Sequence, residues 1–142
     1  MKSERSERSF PFLRVNQRDG KPRKRGLTEI RGPYYSIVGV RYLEDLFETM
    51  GAYVDSLKFA GGSFTLMPER AVRDIIDLCH KHNVLVSTGG FIERVLVQGD
   101  DAVRHYVAEC NKLGFESKSQ PGSSRSQLMI GCGSLNWCAN LD

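Results

Sequence analysis

VDSLKFAGGSFT, residues 54–65, is the part of the sequence from which the rest of the fold can be inferred. It begins with a short run that mixes β-branched, aliphatic and aromatic residues, which is typical of a buried strand. The run contains Lys58 and ends at Gly61-Gly62-Ser63. Glycines allow backbone N–H groups to approach a ligand closely, and a lysine supplies a positive charge. The stretch therefore predicts a strand that ends in an anion-binding site.

A similar arrangement follows one unit later in the chain. The run VLVST, residues 84–88, leads into Gly89-Gly90 and then into a helix-like segment that carries Glu93. An earlier strand candidate, GLTEIR at residues 26–31, carries Glu29 near its end. We expect three strands whose carboxyl ends present glycine and polar side chains, including Ser87 and Thr88.

Helices are predicted after each strand, because apolar residues recur there at spacings of three and four. The predicted inner faces are Leu43, Leu46, Phe47 and Met50; then Val72, Ile75, Ile76 and Cys79; then Val103, Tyr106, Val107 and Cys110. The resulting β-α-β-α-β-α order predicts right-handed crossovers and a parallel sheet. Such sheets are either open and doubly wound or closed as (β/α)8 barrels, and both bind ligands at the carboxyl ends of the strands.

Composition sets only broad limits on the function. The chain has 142 residues, enough for one domain, and a mild formal net charge of +3. It contains no apolar run of the roughly 18 residues that a membrane span needs, and it opens with no signal peptide. The four cysteines lack the spacing of a metal site. These features predict a reducing, cytoplasmic location without membrane contact.

Residues 1–25 are predicted to form a disordered basic arm. The cluster KPRKR, residues 21–25, could be a nuclear-localisation or nucleic-acid patch. No aromatic residues interleave with these charges, as a surface that stacks single-stranded bases would require. We therefore favour a solvated leader and expect no nucleic-acid partner.

Five blocks of the sequence carry a family resemblance: GLTEIRGPYY, YLEDLFETMG, VDSLKFAGGSF, LCHKHNVLVSTGGFIERVL and YVAECNKLGF. They resemble the phosphosulfolactate synthase family, which includes heat-stress-associated relatives in plants. The resemblance covers residues 26–115. It implies the N-terminal portion of a (β/α)8 TIM barrel, with about three βα units and parallel strands. It also implies a lyase that adds sulfite to phosphoenolpyruvate with Mg²⁺, giving 2-phospho-3-sulfolactate on the route to coenzyme M.

The candidate residues fit such chemistry, because an anion would develop on the substrate carboxylate and would need cations and a proton donor. Lys58 and Glu93 are the candidate catalytic residues, and Glu29 is the candidate metal ligand. The candidate substrate-binding residues are Gly61, Gly62, Ser63, Ser87, Thr88, Gly89 and Gly90. The implied partners are small anions, namely sulfite and a phosphoenolpyruvate-like substrate, and the full-length form is expected to be a homo-oligomer.

Each candidate also has a purely structural alternative. Lys58 could extend from the strand end to solvent, and the glycines could be ordinary turn residues. Glu93 could be a solvated helix residue, and Glu29 could pair with Arg31 or Arg41. At the level of the whole protein, the alternative is a non-catalytic, stress-related barrel protein of the same family.

Residues 116–142 depart from the pattern, since a fourth strand is due there and no apolar periodicity follows. Codons permitted for residues 128–142, read with a shifted frame, translate as DDWLRLVELVRKLG, which has the pattern of an amphipathic helix. The same shift turns residues 117–127 into a strand-like run. We therefore interpret this tail as frame-shifted after Glu116, and expect the 142-residue chain to be an inactive, truncated form.

Overall fold

Three parallel strands form the centre of the structure. The computed structural model describes residues 8–32 and 38–115. The strands β1 (Glu29–Arg31), β2 (Ser56–Lys58) and β3 (Leu85–Ser87) pair in the order β1-β2-β3. Both pairings are parallel, so the predicted parallel sheet is confirmed. Each strand is shorter than the sequence run that predicted it.

Helices follow the strands in the predicted alternating order. They are α1 (Val40–Met50), α2 (Glu69–Lys81), α3 (Ile92–Leu96) and α4 (Asp100–Leu113). Single turns of 3-10 helix occur at Gly51–Tyr53, Ser63–Thr65 and Gly89–Phe91. The last two of these turns lie directly after β2 and β3, so they shape the loops at the carboxyl ends of those strands.

The apolar core lies between one face of the sheet and the helices. Leu57 of β2 and Val86 of β3 are fully buried and belong to one cluster with residues from α1 and α2. All four predicted inner residues of α2 are buried in this cluster. Their spacing places them on one side of the helix, which explains why the helix docks there. Of the residues predicted to face inward on α1, Met50 is the exception, because it is exposed.

The other face of the sheet is mostly polar. Side chains alternate across a strand, and neighbouring residues in register share a face. Leu57 points into the core, so its neighbours in β2 point the opposite way. The residues in register with those neighbours, and hence on the same face, come from all three strands: Glu29, Arg31, Ser56, Lys58, Leu85 and Ser87.

The N-terminal segment packs against the amino-terminal end of this sheet. Arg23 Nη1 lies 2.7 Å from Asp55 Oδ1, and Arg18 Nη2 lies 3.0 Å from Asp55 Oδ2. The backbone N–H of Thr28 also donates to this carboxylate, at 2.8 Å. Asp55 and the Arg23 side chain are buried, with 5% and 6% exposure. The prediction of a solvated leader is therefore wrong for Arg23.

Lys21 adds a second attachment of the same segment. Its ammonium donates to the carbonyl oxygens of Gly51 at 3.1 Å and His82 at 2.7 Å. These carbonyls stand at the ends of α1 and α2, where the helix dipole favours a positive charge. Lys24 and Arg25 remain exposed, as expected of a basic leader.

Two further sequence predictions concern membrane spans and the C-terminal tail. Within residues 8–32 and 38–115, no helix is both long and apolar enough to cross a bilayer. The predicted frame-shifted tail, residues 116–142, lies outside the described part of the chain.

Candidate functional site

The candidate site lies at the carboxyl ends of the strands, on the polar face of the sheet. The register aligns Arg31, Lys58 and Ser87, the last residues of β1, β2 and β3. Parallel strands bring their carboxyl ends to one edge, where βα loops surround a ligand in folds of this type. Lys58 occupies the middle of this row.

The ammonium of Lys58 pairs with Glu29 across the two strands. Lys58 Nζ lies 3.4 Å from Glu29 Oε1, and the Ser56 hydroxyl donates to Glu29 Oε2 at 3.4 Å. The two charged side chains are about one-third exposed, with values of 32% and 39%. Glu29 therefore pairs with Lys58 rather than with Arg31 or Arg41, the two partners considered from the sequence. Both charged side chains are thus partly accessible to solvent.

The glycines of the two pairs lie beside different side chains. Gly62 has φ +73°, and a methyl group there would overlap the Phe91 ring. Gly89 has φ +60°, and a methyl group there would crowd the aliphatic stem of Lys58. L-amino acids rarely adopt such φ values, so both positions favour glycine on two grounds. Gly61 also has a positive φ, and its neighbour Gly62 is buried.

The predicted hydroxyl groups have different environments. The Tyr106 hydroxyl donates to Thr88 Oγ1 at 2.5 Å, so Thr88 links the loop after β3 to α4. Burial raises the pKa of the Tyr106 phenol, which therefore stays protonated and remains a donor. Ser63 Oγ is buried and has no hydrogen-bond partner among the described residues. A buried hydroxyl without a partner is costly, so it is available to a ligand that reaches the loop.

Glu93 lies at the start of α3, beside the second glycine pair. Its side chain is exposed, and a methyl group at Gly90 would lie 3.6 Å from its Oε1. The structure thus places Glu93 in the first turn of α3, directly after the loop that follows β3, and the Lys58–Glu29 pair on β2 and β1.

An aromatic cluster, formed by Phe59, Phe64, Phe91, Tyr106 and Phe115, lies behind the two glycine loops. Phe64 contacts Phe59, Phe91 and Phe115 edge to face, with ring centroids 5.1–6.2 Å apart. Such edge-to-face pairs contribute about 0.5–1.5 kcal/mol each beyond their buried area, so they stabilise the packing of the two loops. The sequence predictions did not include Phe64 and Phe91 among the site residues. Their signal was present, since an aromatic residue follows the glycine pair in both loops.

The described residues offer few ligands for Mg²⁺. Glu29 provides one carboxylate, with the Ser56 hydroxyl beside it. Mg²⁺ commonly binds proteins through one or two carboxylates, water and substrate phosphates, so a single carboxylate fits that mode. Residues 8–32 and 38–115 contain no group of three His, Cys, Asp or Glu side chains that could hold a metal by themselves.

Comparisons with known proteins agree with this architecture. The family model for (2R)-phospho-3-sulfolactate synthase (ComA) matches residues 16–117. The match begins ten residues before the predicted domain start at residue 26, and so includes the segment that contacts Asp55.

Two curated relatives match most of this chain. Protein HEAT-STRESS-ASSOCIATED 32 of Arabidopsis thaliana is 46% identical over 106 residues, covering 75% of this chain and 37% of that protein. Phosphosulfolactate synthase of Methanothermobacter thermautotrophicus is 32% identical over 109 residues, covering 77% of this chain and 40% of that enzyme. The chain thus spans about two fifths of the length of these relatives. It belongs to the phosphosulfolactate synthase family.

Proposed function

We propose that this chain supplies the first βα units of a (β/α)8 barrel whose strand ends bind phosphoenolpyruvate for the addition of sulfite. The central support is the Lys58–Glu29 pair at the carboxyl ends of β1 and β2, with Nζ and Oε1 3.4 Å apart. Barrel enzymes carry their reactive groups at these ends. The polar face that holds the pair corresponds to the interior of such a barrel.

In the proposed reaction, sulfite adds to the carbon–carbon double bond of phosphoenolpyruvate. The sulfur lone pair of sulfite forms a C–S bond to the terminal carbon of phosphoenolpyruvate, and the C=C π electrons move toward the carboxylate. A proton then adds to the carbon that bears the phosphate, giving 2-phospho-3-sulfolactate. Lys58 would bind the substrate carboxylate or phosphate and stabilise the developing negative charge. Glu93 would deliver the proton.

The remaining groups of the site would orient the substrate. Backbone N–H groups of the loops at Gly61-Gly62 and Gly89-Gly90 would contact its oxygens, together with the buried Ser63 hydroxyl. Glu29 would be the Mg²⁺ ligand, and the metal would supply further positive charge next to the substrate anion. In that state Lys58 would turn from Glu29 toward the substrate.

A second candidate function is a non-catalytic, stress-related role in the same fold. The observation that favours it is the higher identity to the heat-stress-associated relative, 46% against 32% for the synthase. This candidate requires no binding of phosphoenolpyruvate at the strand ends, so a binding measurement separates the two.

The test is calorimetric titration of the 142-residue chain with phosphoenolpyruvate and Mg²⁺. It measures binding rather than turnover, because the truncated chain is expected to be catalytically inactive. We expect Lys58→Met to weaken binding by about tenfold or more, since a hydrogen bond to a charged group contributes about 1.5–3 kcal/mol. Lys24→Met is the matched control, because it removes the same charge from an exposed position on the N-terminal segment. Absence of binding to the unmodified chain, or equal losses in both variants, would contradict the proposal.

A further inference from the structure

Lys58 has a glycine beside it on each neighbouring strand end, Gly32 after β1 and Gly89 after β3. We propose that Gly89 is a positioning residue, whose missing side chain lets the Lys58 stem lie along the loop after β3 and sets its ammonium beside Glu29. The inference deepens the proposed function, because it names what holds the anion-binding group in place.

Gly89 lies beside three successive carbon atoms of the Lys58 side chain. A methyl group at Gly89 would lie 3.0, 3.1 and 3.2 Å from Cε, Cδ and Cγ of Lys58. Carbon atoms pack best at about 3.5–4.0 Å, so all three distances are too short. An added methyl group would therefore force the stem to shift by a few tenths of an ångström. The ammonium, which now lies 3.4 Å from Glu29 Oε1, would shift with it.

Gly32 restricts the main chain of the same residue. Its N–H donates to the Lys58 carbonyl oxygen at 2.6 Å. A methyl group at Gly32 would lie 3.2 Å from that oxygen and 3.3 Å from Leu57 Cδ1. The backbone of Lys58 therefore has little freedom to follow its side chain, and a displacement at Gly89 would have to occur in the side chain itself.

The positive φ of Gly89 is a separate reason for glycine, and the two reasons can be told apart. Gly26 has nearly the same φ, +62° against +60°, but a methyl group there would have no neighbour within 4 Å. Gly26→Ala thus reports backbone strain alone. Gly89→Ala reports the same strain together with the displacement of Lys58.

The first test is a set of urea denaturation curves on the full chain. We expect Gly89→Ala to lower the urea midpoint of unfolding more than Gly26→Ala does. In a chain that also carries Lys58→Ala, the two glycine substitutions should lower the midpoint by similar amounts. A larger effect of Gly89→Ala than of Gly26→Ala in that background would overturn the inference. Should Gly89→Ala fail to fold, folding of the Gly89→Ala, Lys58→Ala double variant would support the inference, and its failure to fold would overturn it.

The second test is spectroscopic and does not depend on stability. In the unmodified chain, nuclear Overhauser effects should connect Gly89 Hα with the Lys58 methylenes, and Lys58 Hε with Glu29 Hγ. Gly89→Ala should weaken the Lys58–Glu29 signal, whereas Gly26→Ala should leave its intensity unchanged. A Lys58–Glu29 signal of unchanged intensity in Gly89→Ala would overturn the inference.

The third test compares the affinities of the glycine variants for phosphoenolpyruvate. Gly89→Ala should weaken phosphoenolpyruvate binding, because the Lys58 ammonium is shifted from its position, but by less than the loss of the lysine in Lys58→Met, while Gly26→Ala should leave the affinity unchanged. Equal affinity in the two glycine variants would contradict the positioning role. If the unmodified chain binds no phosphoenolpyruvate, the proposed function fails, and the denaturation and Overhauser measurements still decide the role of Gly89.

Discussion

Arg23 Nη1 lies 2.7 Å from Asp55 Oδ1, in an ion pair that attaches the N-terminal segment to the amino-terminal end of the sheet. The backbone of Asp55 takes part in the same junction. Its N–H donates to the Thr28 carbonyl at 2.9 Å, and its carbonyl accepts from the Leu85 N–H at 3.0 Å. One residue therefore joins the segment, the chain before β1 and the start of β3.

Asp55→Asn should destabilise the fold by about 2–4 kcal/mol, because it leaves the buried Arg23 guanidinium without its counter-charge. Asp74→Asn is the control, since Asp74 pairs with Arg70 at an exposed site. That change should cost less than about 1 kcal/mol. Urea unfolding of both variants measures the difference, and similar free energies of unfolding would show that the buried pair contributes little.

Acid should remove the same contribution. Burial opposes ionisation of Asp55, but the Thr28 N–H and the guanidinium groups of Arg23 and Arg18 outweigh it and lower the pKa of the carboxyl. Because the folded pKa is the lower one, the stabilisation is complete above the unfolded value of about 3.9 and is lost as pH falls through the folded pKa. The stability gap between the unmodified chain and Asp55→Asn should therefore be constant from about pH 6 to 5 and narrow below about pH 4. A gap that widens on acidification would contradict this assignment.

The Tyr106–Thr88 hydrogen bond gives a third prediction. Thr88→Val should lower the free energy of unfolding by about 1–2 kcal/mol, since the Tyr106 hydroxyl would lose its acceptor in a partly buried position. Thr88→Ser keeps the hydroxyl and should recover most of that loss. Denaturation curves of the two variants provide the comparison. Equal destabilisation would indicate that the threonine methyl group, rather than the hydroxyl, is responsible.

The sequence was sufficient to predict the parallel sheet, because alternating strand and helix patterns leave few topologies. It was also sufficient for the core of α2, whose four apolar residues repeat at helical spacing. The position of Lys58 at a strand end followed from one charge in an apolar run. These predictions depended on local patterns, which a single sequence carries directly.

The remaining features depend on contacts between residues that are far apart in sequence. Arg23 and Asp55 are separated by 32 residues, and neither has a local pattern that names the other. The basic cluster was consequently interpreted as solvated, although Arg23 is buried. Ligand binding by Gly89 is a prediction from its turn position, while its contact with the Lys58 stem required the register of β2 and β3.

Binding of the substrate anion at the strand ends around Lys58 is tested most directly by mapping where phosphoenolpyruvate binds. The experiment is a titration of the ¹⁵N-labelled chain with phosphoenolpyruvate and Mg²⁺, followed by amide chemical shifts. We predict saturable shifts concentrated at Lys58, Gly61-Gly62 and Ser87–Gly90, and their loss in Lys58→Met. Shifts confined to the basic residues 21–25, or a pattern that Lys58→Met leaves unchanged, would contradict the account.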